Sequence, residues 1–241
     1  MPAHVDVTPF ADDSAPPVRG FLHRPVAPSG NALVLAHGAG SNCEAPLLVA
    51  VAGVFVDAGF TVLRCDLPYR QKRAHGPPSF GEAAQDRDGL RNAVNALRRL
   101  QPPNKDSPER IFLGGHSYGG RQATILAAED PEVANGLLLL SYPLHPPRQP
   151  SQRRTAHFPS LRTAALFVHG TRDPFGSVDE MRIAMQLIPA RTALLALDGA
   201  GHDLLFGRRT PRGADNVNEI PRRLLGAFSV FFEPETSRIG R

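Results

Sequence analysis

One pentapeptide, Gly115-His116-Ser117-Tyr118-Gly119, constrains this chain more than any other stretch. It follows Arg110-Ile111-Phe112-Leu113, an apolar run rich in strand-forming residues, and precedes Gln122–Ala128, which reads as a helix. A Gly-x-Ser-x-Gly between strand and helix is a nucleophile elbow, a strained corner that lifts the serine hydroxyl clear of the sheet edge. Gly115 and Gly119 lack the Cβ atoms that would collide as strand and helix fold back on each other. Such a corner needs a buried strand in front of it and a helix behind it.

The flanking sequence supplies further units of that kind. His4–Phe10 and Val18–Arg24 read as two short strands paired at a sheet edge, with Pro16-Pro17 at the turn. Ala32–Ala36 is a continuous apolar run, as expected of a strand covered on both faces, and leads into the glycine-rich loop His37–Asn42. Pro46–Ala58 is helical by period and stops at Gly59; Thr61–Asp66 is the next strand, and Leu67–Gly81 reads as a loop. Glu82–Leu100 is the clearest amphipathic helix, with Leu90, Ala93, Val94 and Leu97 on one stripe and Asp86, Asp88, Arg91 and Arg98 assigned off it. After a loop at Gln101–Glu109 come strands at Gly136–Ser141, Ala164–His169 and Ala193–Leu197. The remaining helices fall at Ser177–Leu187 and Asp215–Phe232, the last with Val217, Ile220, Leu224 and Phe228 inward. Tyr142–Ser160, short and proline-rich, predicts a minimal cap and an open mouth. Strands alternating with helices predict the α/β class, with a mostly parallel central sheet flanked by helices on both faces. A single domain over residues 1–241 is expected, with Glu233–Arg241 a loose tail.

Composition narrows the partners. The 27 basic residues against 23 acidic give a net charge of +4, and only Lys72 and Lys105 are lysines. The arginines are scattered rather than striped, which argues against nucleic acid. Leu47–Val56, the longest apolar run, is too short to span a bilayer, and the polar N-terminus lacks the apolar core of a signal peptide. A cytoplasmic location without membrane contact is therefore expected. Cys43 and Cys65 fit neither a disulfide framework nor a metal site and read as reduced, partly buried thiols.

Ser117 needs a base to take its proton. In a fold of this type the acid and the base follow the nucleophile at later strand ends. His202 lies past the last strand in Gly199-Ala200-Gly201-His202, and Asp173 lies past the strand Ala164–His169 in Gly170-Thr171-Arg172-Asp173-Pro174. Asp173 would hold the His202 ring in one tautomer and stabilise its imidazolium. His37 and His169 read as structural, and His116 is expected to point away from the partner of Ser117. The oxyanion requires two backbone donors, assigned to Tyr118 N–H and Ala39 N–H. Arg64, Tyr69, Arg70, Arg121 and Arg148 are candidates for the rim of the mouth, with Tyr69 and Arg121 as substrate-binding candidates; if several of them ring it, a carboxylate-bearing ester is favoured, and the competing readings are arginines solvated on loops and pairing of Arg121 with Asp66. No metal or organic cofactor is required by this chemistry.

Several blocks now carry a resemblance: His37-Gly38-Ala39-Gly40, Arg64 with Pro68-Tyr69, Gly115 to Arg121, Tyr142-Pro143-Leu144-His145-Pro146-Pro147, Gly170 to Gly176, and Gly201-His202-Asp203. With them the chain resembles α/β-hydrolases, with elements like those of dienelactone hydrolases. More narrowly it resembles the group that includes testis-expressed protein 30 and subunit 3 of the NSL chromatin complex. The resemblance implies a triad of Ser117, Asp173 and His202, and it supplies no substrate. Dienelactone hydrolases usually carry a cysteine where Ser117 stands. The expected activity is a serine hydrolase acting on a small carboxylic ester or thioester. The competing expectation is a non-catalytic interaction module on the same fold, against which the complete set of three side chains and two glycine loops argues.

Overall fold

A computed structural model describes residues 6–100, 110–204 and 216–232. The expected loop Gln101–Glu109, the tail Glu233–Arg241, residues His4, Val5 and Asp215 of the terminal elements, and the Val217 side chain lie outside the described residues.

Eight strands form one sheet: β1 (Asp6–Asp12), β2 (Val18–Arg24), β3 (Asn31–Ala36), β4 (Thr61–Asp66), β5 (Arg110–His116), β6 (Gly136–Leu140), β7 (Ala165–Gly170) and β8 (Thr192–Leu197). Their spatial order is β1-β2-β4-β3-β5-β6-β7-β8. The β1–β2 and β2–β4 pairs are antiparallel and the rest are parallel, giving an open, mostly parallel sheet. The helices are α1 (Pro46–Asp57), α2 (Pro68–Lys72), α3 (Ala83–Arg99), α4 (Tyr118–Glu129), α5 (Val178–Met185) and α6 (Asn216–Phe232).

Alternate residues of the central strands feed two cores. Ala32, Val34, Ile111, Leu113, Leu137 and Leu139 pack with the apolar faces of α3, α4 and α5. Leu33, Leu35, Phe112, Leu138 and Leu140 pack with α1 and α6. A strand with both faces covered has no room for polar alternation, which is why these strands are continuous apolar runs. On α6, Ile220, Leu224 and Phe228 are buried as the period predicts, and the Phe228 ring meets Phe112 at 4.8 Å.

Two elements differ from expectation. α4 begins at Tyr118, four residues earlier than composition suggested, because the glycines that weaken helix propensity are needed there for close packing. α2 lies inside the stretch expected to be loop; Pro68 opens it, its fixed φ and missing N–H costing nothing at a first helical position. The connection over the β6–β7 edge carries one 3₁₀ turn, Phe158–Ser160, consistent with a low cap. Among the described residues no helix is long and apolar enough to cross a membrane.

Candidate active site

The sheet reverses its winding between β3 and β5: the chain moves from β3 outward to β4, then returns to the other side of β3. In open α/β sheets the crevice outside the strand ends at such a point is where ligands bind. The loop after β3 and the turn after β5 both open there.

Ser117 occupies that turn at φ 51° and ψ −112°, in a region disfavoured for residues with a Cβ. Its N–H donates to Leu140 O at 2.8 Å, and its carbonyl accepts the Arg121 N–H at 2.9 Å. A Cβ on Gly115 would stand 2.7 Å from Ala36 O, and one on Gly119 would stand 2.6 Å from His37 O. The two glycines are thus required by backbone contact on both sides of the corner.

Ser117, His202 and Asp173 form one hydrogen-bonded line. His202 Nε2 lies 2.8 Å from Ser117 Oγ, and His202 Nδ1 lies 2.8 Å from Asp173 Oδ2. A carboxylate only accepts, so Nδ1 carries the proton and the Nε2 lone pair faces the serine hydroxyl. The Asp173 side chain is fully buried, and its other oxygen accepts the Phe175 N–H at 2.8 Å. The Phe175 ring lies over His202 with centroids 4.2 Å apart and planes at 33°. The loops after β7 and β8 are stitched together by Thr171 N–H to Leu197 O at 3.1 Å and Arg172 N–H to Ala200 O at 2.9 Å. Gly170 permits this approach, since a Cβ there would collide with the Ala200 carbonyl.

His116 requires a correction. It does not point away from the partner of Ser117: its Nε2–H donates to the His202 carbonyl at 2.8 Å, and the two rings lie 5.1 Å apart. Burial holds its pKa below the usual histidine value, which keeps the ring neutral with one nitrogen free of hydrogen. That nitrogen faces Gly38, where a Cβ would be 2.9 Å from it and 3.6 Å from Ser117 Cβ. His116 therefore joins the His202 loop to the glycine loop after β3.

The glycine loop is clamped by buried groups. Gly38 O accepts His37 Nδ1–H at 2.8 Å, Ser41 N–H at 3.1 Å and the Tyr69 hydroxyl at 3.3 Å. Leu67 N–H donates to His37 Nε2 at 3.1 Å, which fixes that tautomer. Because a trans peptide is planar, anchoring the Gly38 carbonyl fixes the Ala39 N–H in the opposite direction. Ala39 O in turn accepts Tyr69 Oη–H at 2.8 Å and Arg70 Nη2–H at 3.2 Å. The Tyr118 N–H, at the first position of α4, has no acceptor within its own helix.

Three residues expected at the mouth are instead interior. Tyr69 is 0%, Arg64 4% and Arg70 6% exposed. Tyr69 holds the glycine loop rather than a ligand, Arg70 also donates to Ser41 O at 2.7 Å, and Arg64 donates to His23 Nε2 at 2.8 Å and to Cys43 O. Their carbons pack under the loop while their donors reach its carbonyls, a use that residue type alone does not reveal. Arg148 is exposed on the cap. Arg121 does not pair with Asp66, which accepts the Cys43 N–H at 2.7 Å and lies 3.6 Å from His37 Nε2.

Asp86 was missed as a site residue. It is fully buried, accepting the Tyr118 hydroxyl at 2.7 Å and the Tyr69 N–H at 3.1 Å, so that one carboxylate braces both the elbow and α2. The signal was present: Asp86 stands four residues before Leu90, on the apolar stripe itself. Burial raises its pKa above the usual carboxylate value. Cys43 and Cys65 are both buried, and burial drives the Cys43 thiol up to about 12 and Cys65 higher still, so neither is a thiolate at neutral pH.

A family model for the alpha/beta hydrolase domain matches residues 29–225. The chain belongs to the alpha/beta hydrolase family. Solved structures agree in fold across nearly the whole chain. A dienelactone hydrolase from Anabaena variabilis superposes with a TM-score of 0.69 at 19% identity, covering 93% of this chain and 99% of that one. An alpha-beta serine hydrolase homologue from Coxiella burnetii does so with a TM-score of 0.69 at 13% identity, covering 94% and 99%. A lidless serine hydrolase from Xanthomonas campestris matches with a TM-score of 0.67 at 15% identity over 97% and 98%. In this alpha/beta hydrolase the serine, the histidine and the carboxylate stand at the ends of β5, β8 and β7.

Proposed function

We propose that this alpha/beta hydrolase is a serine hydrolase that cleaves carboxylic esters or thioesters through an acyl-enzyme. The observation that carries the proposal is the pair of 2.8 Å contacts joining Ser117 Oγ to His202 and His202 to the buried Asp173. Ser117 Oγ adds to the substrate carbonyl carbon as its proton passes to His202 Nε2. Asp173 holds the ring and stabilises the imidazolium. The N–H groups of Ala39 and Tyr118 receive the oxyanion, the latter aided by the N-terminal end of the α4 dipole. Collapse of the tetrahedral adduct breaks the bond to the leaving oxygen or sulfur, which departs with the proton from His202. Water then repeats the sequence, giving its proton to His202 and its oxygen to the acyl carbon, and releases the acid and free Ser117.

Two features favour this over a non-catalytic module. The elbow retains a disfavoured backbone conformation, and the glycine loop is clamped into one shape; a scaffold needs neither. The finer kinship, to the group of testis-expressed protein 30 and NSL subunit 3, rests on the blocks Tyr142–Pro147 and Gly170–Gly176. Labelling with a fluorophosphonate probe tests the proposal: wild type reacts and Ser117→Ala does not. Folded wild type that neither reacts nor hydrolyses any of a panel of p-nitrophenyl esters would make the chain a scaffold.

A further inference from the structure

The two N–H groups proposed to receive the oxyanion belong to different segments, Ala39 on the loop after β3 and Tyr118 at the start of α4. Two donors on separate segments serve one oxygen only if something fixes the first against the second. Elbow and loop touch directly through Gly119 N–H to His37 O at 3.1 Å, but that bond lies before Gly38 and leaves the Ala39 N–H to be aimed by other groups.

Those groups converge on Asp86. Its Oδ2 accepts the Tyr118 hydroxyl at 2.7 Å, and its Oδ1 accepts the Tyr69 N–H at 3.1 Å. The Tyr69 hydroxyl in turn donates to Ala39 O at 2.8 Å and lies 3.3 Å from Gly38 O, the carbonyls on either side of the Ala39 N–H. The two tyrosine rings meet edge to face, with centroids 5.9 Å apart and planes at 89°. A polar chain therefore runs from the side chain of one oxyanion residue to the backbone of the other, with Asp86 at its centre. That centre is firm. Asp86 is closed to solvent in the first turn of α3, and α3 is tied to α4 by Arg87 to Glu129 at 3.1 Å and to Gln122 at 3.3 Å, and by Arg91 to Asp130. On the α2 side, a Cβ on Gly89 would stand 2.6 Å from the Pro68 ring, so the two helices are in backbone contact. Burying a carboxylate is costly, and the stripe it interrupts is otherwise filled by Leu90, Ala93 and Val94, so packing alone does not call for an acid there.

We propose that Asp86 is a positioning residue for the oxyanion, setting the Ala39 and Tyr118 N–H groups against each other through Tyr69 and Tyr118. The proposal deepens the hydrolase function above and rests on it. It makes the hydrogen-bonding geometry of Asp86, rather than its charge, the property that matters. Asparagine can keep that geometry: its Oδ1 accepts the Tyr69 N–H while its NH₂ donates to the Tyr118 oxygen, since a phenolic oxygen both donates and accepts. Alanine keeps neither bond.

Steady-state hydrolysis of p-nitrophenyl butyrate, with active sites counted by fluorophosphonate labelling, gives the test. Asp86→Ala is expected to lower kcat per labelled site by about 10²-fold with KM unchanged, the cost of misplacing a catalytic group by about 1 Å. Inhibition by a trifluoromethyl ketone, whose adduct with Ser117 carries an oxyanion, should weaken by the same factor. Asp86→Asn should stay within about threefold of wild type in both readouts, because its hydrogen bonds survive. Asp88→Ala, at an exposed carboxylate on the same helix, should change neither. If Asp86→Ala fails to fold, Tyr118→Phe decides: it cuts one arm without opening a cavity and should cost about tenfold in kcat and in ketone affinity. A brace that served stability alone would lower the urea midpoint and leave kcat per labelled site and ketone inhibition untouched. That result, equal losses in Asp86→Asn and Asp86→Ala, or an unaffected Tyr118→Phe would each overturn the proposal. Wild type that takes no fluorophosphonate would sink the function above and this role with it, whereas active wild type beside an equally active Asp86→Ala sinks the role alone.

Discussion

Replacing Asp173 with Asn probes the Ser117–His202–Asp173 line where the geometry leaves least freedom. Asp173 receives the Phe175 N–H on one oxygen and His202 Nδ1–H on the other, both at 2.8 Å. In Asp173→Asn the single remaining oxygen stays on the Phe175 N–H, and the amide NH₂ faces His202 Nδ1. Two donors cannot share that contact, so the ring moves its proton to Nε2 and can no longer accept from Ser117. Flipping the amide only transfers the conflict to Phe175. The loss expected is that of the base itself, about 10⁴-fold in kcat or about 5.4 kcal/mol of barrier, with KM little changed because Asp173 touches no substrate. Steady-state hydrolysis of p-nitrophenyl butyrate measures it, and the rate of fluorophosphonate labelling should fall in parallel. A folded Asp173→Asn enzyme turning over within tenfold of wild type would refute the assignment of His202 as base.

Other expectations follow from neighbouring contacts. His116→Ala removes the donor to the His202 carbonyl and should lower kcat by about tenfold, the worth of one buried hydrogen bond that positions the base; a change confined to KM on the same ester would contradict that role. Gly119→Ala sets a Cβ 2.6 Å from His37 O and 2.8 Å from Ala36 Cβ, and overpacking against backbone should destabilise the fold by about 1–3 kcal/mol in urea unfolding. His23, whose pKa burial and the Arg64 charge depress from 6.5 to about 4, should make stability fall on acidification. Between those values the unfolded chain binds a proton that the native state refuses, so this contribution is complete above pH 6.5 and is lost as pH drops toward 4, by at most about 1.4 kcal/mol per unit. Urea midpoints at pH 7 and pH 5 read the loss, and His23→Gln should flatten it; an unchanged slope in that variant would assign the effect elsewhere.

The parts of this molecule that sequence makes legible are those governed by backbone demands. The β3 and β6 runs are apolar because both faces are covered. Ser117, Asp173 and His202 each stand at a strand end beside glycines that let chains approach, and a glycine at a strand end leaves few other interpretations. What stayed hidden depends on side-chain direction. Tyr69 and Arg70 look the same on a loop as on a buried turn; their inward aim follows from α2, a five-residue helix seated on α3 where Gly89 leaves room for the Pro68 ring. The reach of His116 to the His202 carbonyl spans 86 positions and has no local trace. Asp86, by contrast, was readable from its place on the α3 stripe; a carboxylate at an apolar position signals partners, here Tyr118 and Tyr69.

The grip of Tyr69 and Arg70 on Ala39 and Gly38 comes from about thirty residues along the chain, from groups that never meet a guest molecule. A turn moulded from behind in this way is finished before anything arrives, and arrival then costs it no ordering. Substitutions in so remote a wedge would slow the proposed hydrolysis while the mouth, inspected alone, looked unaltered.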